Sequence, residues 1–590
     1  MDDTPSPAPA GPSQSLDPAP GLAPGRAPRY GLLALVAALL LSCTGIWNHS
    51  LWIPDEPRVA GIGAEMLASG DLLVPTLAGE PYLEKPPFAW WVMSGLLRVF
   101  GVKASVARLP CALTSLLSLL LIYDITRRLA DARAGLAAVL VAGATFGFLV
   151  FGHRIVVDVW LLLFVTLGVY GFLRAAHLGE AREDERPAPG WLLLLYLAGG
   201  LAFLVKGPIG PVLVGGPPFL LLLITRRWSF FKSWVHVPGA ALMLALWALW
   251  PLLLYQRGGW DLLRLFLVDN VLERAIAPGE TDQAWSGHAR HTPAFYLSRA
   301  PGMLLPWIVA APAAVRWLVQ DELPAGWRRR GLAMAAAILP LGVLLLSLPS
   351  TRRTLYVLPL LPWLAPLVGA WITAPGLGEG SPWKRRLDLL LLPLLVGLVV
   401  LPLALFGAAA ALYSGAATLP SDWDPVELGP LVMALLGLGA LGGLAAGALG
   451  PGLWRRRAPA RCWLLLGGYA ALAVGYNLVI YRVSEPVRGF DALAQGLAEH
   501  RAFEPGLVGL WCDQTALGAV SFYLGRRLES HYSFQGGQEE FLAGREGQKV
   551  LVRERFIEML PPRLRKRLRK LGAWTLTEKS SYVLYVLEPL

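Results

Sequence analysis

Charge is what this chain lacks. Only 16% of its 590 residues are Asp, Glu, Lys or Arg, where a soluble domain carries about a quarter. A single soluble core of this length would need far more charge to cover its surface, which excludes a cytosolic or secreted enzyme. Cysteine is equally scarce. Cys43, Cys111, Cys462 and Cys512 show neither close pairing nor metal-type spacing, so no disulfide framework or zinc knuckle is indicated. What fills the space is apolar: 55% of the residues are hydrophobic, 23 are tryptophan and the mean hydropathy is +0.51. That composition describes a polytopic α-helical membrane protein. The net charge of +11 suggests nucleic-acid binding in a soluble chain; here it is read as bias between membrane faces, with no nucleic-acid partner.

Residues 1–29 hold eight prolines among Ala, Gly and Ser and read as a disordered cytoplasmic tail. An apolar run from Tyr30 to Trp47 follows, with no small-residue cleavage site, and reads as an anchor. Further runs lie near 104–123, 135–151, 156–173, 190–205, 208–224, 236–255, 301–318, 331–348, 355–373, 387–413, 429–450 and 462–480, which predicts about 13 transmembrane helices within 30–480. Basic clusters fall in alternate connections: Arg127/Arg128/Arg133, Arg226/Arg227/Lys232, Arg328/Arg329/Arg330, Lys384/Arg385/Arg386 and Arg455/Arg456/Arg457. The opposing short loops carry far fewer, and 415–428 is purely acidic. By the positive-inside rule the N-terminus is cytoplasmic, and an odd span count puts residues 481–590 outside.

That tail changes character. Gly506–Cys512, Lys549–Val552 and Ser581–Leu587 read as strands, Ala516–Leu524 and Arg555–Leu571 as helices, hence a small periplasmic α/β domain. The basic run Arg563–Lys570 is either a solvated helix face or a contact for anionic headgroups.

Charge gathers in the first outer loop, 48–103. Asp55 or Glu56 can cap a helix whose first turn holds Pro57, whose apolar face is Val59, Ile62, Met66 and Leu67, and which Gly70 ends. This predicts an amphipathic helix in the interface plane. A second such helix starts at Pro86 or Pro87, so Lys85 stands just before a helix N-terminus, where an anion is already favoured. A lysine there makes a phosphate site.

The combination is more specific than its parts. Asp55-Glu56-x-Arg58, Leu67-Ala68-Ser69-Gly70-Asp71 and Tyr82-x-Glu84-Lys85-Pro86-Pro87 together resemble the first periplasmic loop of bacterial GT-C glycosyltransferases. The nearest families are the lipid A aminoarabinose transferases and the protein O-mannosyltransferases. The resemblance continues through His153-Arg154-Ile155-Val156-Val157-Asp158, Lys206-Gly207-Pro208, His288 and His291 ahead of Phe295-Tyr296 and Pro306-Trp307, and Arg353-Thr354-Leu355-Tyr356-Val357-Leu358-Pro359.

That resemblance implies a GT-C fold on the bacterial inner membrane. It also implies inverting transfer of a monosaccharide from a polyprenyl-phosphate carrier to lipid A, another envelope glycan or a protein hydroxyl. By the same resemblance Asp55 takes the acceptor's proton and Asp158 is the second acidic residue. Arg58, Lys85, Lys206 and Tyr356 bind the donor phosphate. Glu84, His288 and His291 are supporting or metal-linked; relatives place a histidine where this chain reads Leu267-Val268-Asp269-Asn270, which leaves a divalent cation open. Plainer readings stand beside these: Asp55 as a cap, Asp158 paired with Arg154, Lys206 snorkelling to the interface, and Trp90, Trp91, Trp285 and Trp307 as aromatic belt. Two other function classes remain at this point. A lipid-linked sugar flippase needs ionisable residues near the midplane, which these runs almost lack. A non-catalytic relative is opposed by the joint presence of Asp55, Glu84, Lys85 and Asp158.

Overall fold

The computed structural model describes residues 27–589 except 179, 181–185, 273–293, 320–325, 350–351, 375–395, 398–399, 402, 413, 415–430, 434, 441–457, 532–536 and 576–580. Seven described helices are long and apolar enough to cross a membrane. They are α4 (Ala104–Leu129), α7 (Val157–Ala175), α8 (Pro189–Lys206), the continuous stretch His236–Leu272, and Gly326–Leu346, Thr354–Thr373 and Cys462–Val483. Helices dominate because a backbone in hydrocarbon must satisfy its own N–H and C=O groups. Shorter apolar helices include α1 (Ala27–Cys43), α5 (Ala132–Gly143) and α9 (Ile209–Ile224).

Two expected spans are corrected. The run 135–151 breaks after Gly143: Thr145 is extended, its neighbour Phe146 donates its N–H to Leu305 O at 2.8 Å, and α6 (Phe146–Phe151) starts anew. The run at 301–318 is a bent pair, Phe295–Met303 and Trp307–Val319, turned by 100° across Pro306. The runs 387–413 and 429–450 are described only in part, including the short apolar helices Leu403–Leu412 and Leu431–Ala440, and Trp285 and most of residues 1–29 lie outside the described residues.

α7 and α8 are antiparallel neighbours, and glycine sets their spacing. A Cβ on Gly171 would sit 2.9 Å from Trp191 O and 3.0 Å from Leu195 N, so only a bare Cα permits this approach. α7 begins beside Asp158 and α8 ends on Lys206, so the pairing brings those two side chains to the same end of the bundle.

Within residues 48–103, α2 (Glu56–Ser69) ends on a left-handed Gly70 as expected. A hairpin of β1 (Thr76–Leu77) and β2 (Glu80–Pro81) follows, then α3 (Phe88–Phe100). α3 is amphipathic, with Val99 and Phe100 exposed. α2 does not lie on a surface: its residues from Glu56 to Met66 are nearly all buried. The Gln514–Leu524 helix covers it.

That covering helix belongs to a C-terminal five-stranded mixed sheet of order β4-β3-β5-β7-β6. Its strands are β3 (Leu507–Leu510), β4 (Glu529–His531), β5 (Lys549–Arg553), β6 (Leu568–Thr575) and β7 (Ser581–Leu587). β3 pairs parallel with β4 and β5; β7 pairs antiparallel with β5 and β6. The helix expected over Arg555–Leu571 is corrected. Pro561 and Pro562 divide it into a 3-10 helix over Glu554–Met559 and one short α-helix over Pro562–Lys566, and the free edge of β7 recruits the chain from Leu568 as a strand. The basic run is partly neutralised within the sheet, since Arg565, Arg567 and Arg569 pair with Glu558, Glu546 and Glu588.

Candidate active site

Asp55 occupies the cap position of α2 but caps nothing. Its carboxylate turns to two guanidinium groups. Oδ1 accepts from Arg58 Nη2 at 2.8 Å, one turn along, and Oδ2 accepts from Arg353 Nη2 at 2.9 Å, with Arg353 Nη1 3.3 Å from Oδ1. Burial alone would raise the Asp55 carboxyl; Arg353 and then Arg58 outweigh it and hold it below the usual carboxylate range. The plainer reading of Asp55 as a cap is therefore replaced by an ion-pair cluster.

Glu56 points the other way. Its carboxylate accepts from Arg108 Nε at 3.0 Å and Nη2 at 2.6 Å, and from the N–H groups of Trp52 and Ile155 at 2.9 and 3.1 Å. Burial opposes its charge, yet Arg108 pulls the carboxyl down to about 2. Arg108 also donates to the carbonyls of Ile46, His49 and Ser50. One buried pair thus ties together the chain leading to Asp55 and the loop leading to Asp158.

Asp158, in the first turn of α7, pairs with Lys206 rather than Arg154. Lys206 does not snorkel: its ammonium is 3.7 Å from the centroid of the Tyr356 ring, and its side chain is 7% exposed. Arg154 instead lies over Trp52. Lys85 donates to Glu84 O at 3.1 Å.

These side chains meet. Asp55, Arg58, Tyr82, Glu84, Lys85, Asp158, Lys206, Arg353 and Tyr356 line one narrow cavity. Four cations face three carboxylates there, leaving one positive charge. Of the residues singled out in the sequence, seven share this cavity; His288 and His291 lie outside the described residues. A second, wider cavity of about 590 Å³ adjoins it, with Asp55, Val156, Arg353 and Leu355 in both linings. Its basic residues are Arg154, Arg299, Arg352, Arg353 and Arg488, interleaved with Trp52, Phe151 and Phe295. Asp55 therefore stands on a partition between two basic chambers.

Sequence reasoning quoted Arg353 and Tyr82 only within motif strings, without a role, and did not single out Gln514. Their distance along the chain from Asp55 gave no local signal, although the Arg353-Thr354-Leu355-Tyr356 string marked the segment. Trp90 and Trp307 are buried and not interfacial; Trp90 donates to Val59 O at 3.1 Å. His153 is buried edge-on against Tyr481 and lines neither cavity; burial and then Arg154 lower it to about 3. Among the described residues, no group of three His, Cys, Asp or Glu side chains is placed to hold a metal ion. Asp269 faces Arg264 at 3.8 Å. The described residues around Glu84 thus do not make a metal-binding set.

Comparison with known proteins shows the family and the fold. The family described as dolichyl-phosphate-mannose-protein mannosyltransferase matches residues 84–252. The undecaprenyl phosphate-alpha-4-amino-4-deoxy-L-arabinose arabinosyl transferase of Pseudomonas aeruginosa (strain LESB58) is 31% identical over 450 residues, covering 75% of this chain and 74% of that protein. The chain belongs to this arabinosyl transferase family. The Sodalis glossinidius member, arabinosyl transferase 1, is 28% identical over 423 residues, 68% of this chain and 69% of its own. In fold, this family member superposes on the crystal structure of ArnT from Cupriavidus metallidurans bound to undecaprenyl phosphate. That match has a TM-score of 0.70 at 20% identity and covers 96% of this chain and 98% of that one. The GT-C resemblance is borne out, and the chain is a multi-pass membrane glycosyltransferase.

Proposed function

We propose that this glycosyltransferase moves a monosaccharide, with inversion, from a polyprenyl-phosphate carrier to an anionic acceptor of the lipid A type. The observation that carries the reading is the partition: one carboxylate, Asp55, between a four-cation chamber and a five-arginine chamber. In the first, Arg58, Lys85 and Lys206 hold the donor phosphate, and Tyr356 hydrogen-bonds a phosphate or sugar oxygen. A sugar phosphodiester carries one negative charge, which the excess positive charge of that chamber matches. As the bond from the anomeric carbon to the phosphate oxygen breaks, its electron pair stays on the phosphate. The growing charge is stabilised by cations already in place.

The acceptor oxygen attacks the anomeric carbon from the opposite side, the side of the second chamber. Asp55 takes any proton it carries, and Asp158 keeps Lys206 in place. The two arginines that keep Asp55 ionised also weaken it as a base. That balance suits an acceptor oxygen that is already acidic, such as a phosphate, better than an alcohol. Arg154, Arg299 and Arg488 lie where such a group would arrive. The activity for which the relatives are named supports undecaprenyl phosphate as the carrier and 4-amino-4-deoxy-L-arabinose as the sugar.

The orientation is proposed with it: about thirteen spans, a cytoplasmic N-terminus, and residues 481–590 as a periplasmic α/β domain. Packing of that C-terminal segment against the Asp55 loop supports a common face for both. The experiment is transfer by purified protein from undecaprenyl-phosphate aminoarabinose to lipid A, read by mass. Asp55→Asn and Lys85→Ala should fold yet lose about 100-fold or more in rate, the scale of removing a group that stabilises developing charge. Full turnover by Asp55→Asn would remove Asp55 from the chemistry.

A further inference from the structure

The first turn of the Gln514–Leu524 helix rests on residues that carry the site. Gln514 Oε1 accepts from Arg58 Nη1 at 3.0 Å, the same guanidinium whose Nη2 donates to Asp55. One residue on, Thr515 Oγ1 donates to Pro54 O at 3.1 Å, on the backbone entering Asp55. Gln514 is itself braced. Asp513 caps the helix through the N–H groups of Thr515 and Ala516, and is held in turn by Arg553 of β5 at 3.2 Å and by the Tyr582 hydroxyl of β7 at 2.9 Å. Glycine allows the approach: a Cβ on Gly518 would lie 2.2 Å from Pro57 O and 2.6 Å from Arg58 Cα. A flexible arginine is thereby pinned through both terminal nitrogens, by Asp55 and by Gln514, and its planar fork faces the donor chamber in one orientation.

We propose that Gln514 is a positioning residue for sugar transfer, fixing the Arg58 guanidinium in the donor chamber, with the C-terminal sheet as its support. This rests on the assignment of Arg58 to the donor phosphate made above. Gln514 lines neither chamber and acts only through Arg58. Without its amide oxygen, Arg58 keeps its charge but samples several rotamers, and the phosphate meets a blurred site.

The full-length protein in detergent, with undecaprenyl phosphate as the probe, tests this. Gln514→Ala should weaken undecaprenyl phosphate binding about three- to tenfold, the net scale of one ordinary hydrogen bond, since the amide reaches the phosphate only through Arg58. The donor KM should rise alike, while the acceptor KM and Tm stay unchanged. Gln514→Glu presents an oxygen at the same reach and should restore binding. Gly518→Ala, which drives the helix off Arg58 with Gln514 intact, should reproduce the loss. Unchanged binding by Gln514→Ala, or a lowered Tm with donor KM intact, overturns the inference. If Arg58→Ala binds undecaprenyl phosphate as the wild type does, the assignment of Arg58 falls first and the positioning role with it.

Discussion

The side chain that decides the electrostatics of Asp55 is Arg353, whose planar fork meets both carboxylate oxygens. A lysine keeps the charge but is a point donor that cannot span two oxygens. Arg353→Lys should lower kcat/KM by about 10- to 100-fold, since charge-assisted hydrogen bonds are worth about 1.5–3 kcal/mol. Steady-state kinetics at saturating acceptor measure this. The same pair sets a pH limb. In the proposed reaction Asp55 acts in its ionised form, and with its carboxyl below the usual range, activity should persist until the pH falls below that range. In Arg353→Ala, burial is opposed by fewer cations, so the acid limb of kcat/KM should move upward. An unmoved limb would assign it to another group. Adjacency in the chain made Asp55, Arg58, Glu84 and Lys85 readable as one loop site. The 298 residues between Asp55 and Arg353 hid their contact, because no local period or cap encodes it.

At the scale of elements, the fully buried Glu56–Arg108 pair links α4, the start of α2 and the loop before α7. It places the backbone on which Asp55 and Asp158 are carried. Glu56→Gln leaves the Arg108 charge buried and uncompensated, and should destabilise the fold by about 3–5 kcal/mol. Thermal unfolding in detergent reads this as a lowered Tm, with activity lost because both carboxylates shift. The sign in pH is fixed as well. The Glu56 carboxyl lies at about 2, below its usual value, so its stabilisation is complete above the ordinary carboxylate range and fades only as the pH falls toward 2. Sequence periodicity found α2 and its Gly70 stop but set it on the membrane surface. It could not know that another helix would bury the remaining face.

Across the whole molecule, one apolar core joins the 48–103 loop to the C-terminal sheet: Leu51, Ile62, Met66 and Trp90 pack with Phe490, Leu517, Val520 and Leu584. Polar contacts follow the same seam, with Ser50 N–H and Trp52 Nε1 donating to Glu485 and Leu51 N–H donating to the Tyr523 hydroxyl. A chain ended at residue 484 would expose that core and free the Asp55 loop. It should lose transfer completely and elute as aggregate, which size-exclusion chromatography and the transfer assay together report. A monodisperse, active truncation would show that the loop holds its shape alone.

Composition and pattern by themselves determined the solvent of this protein and the segments that carry its chemistry. Apolar runs this long cross hydrocarbon as helices that satisfy their own backbone, and short charged strings between them stand out against so little charge. Which cation meets which carboxylate was decided only by the tertiary structure. Asp158 took Lys206 because α7 and α8 run antiparallel at glycine-set spacing, and Asp55 took Arg353 because distant segments converge at one end of the bundle. Ion pairs form between neighbours in space, and a linear sequence does not state who those neighbours are.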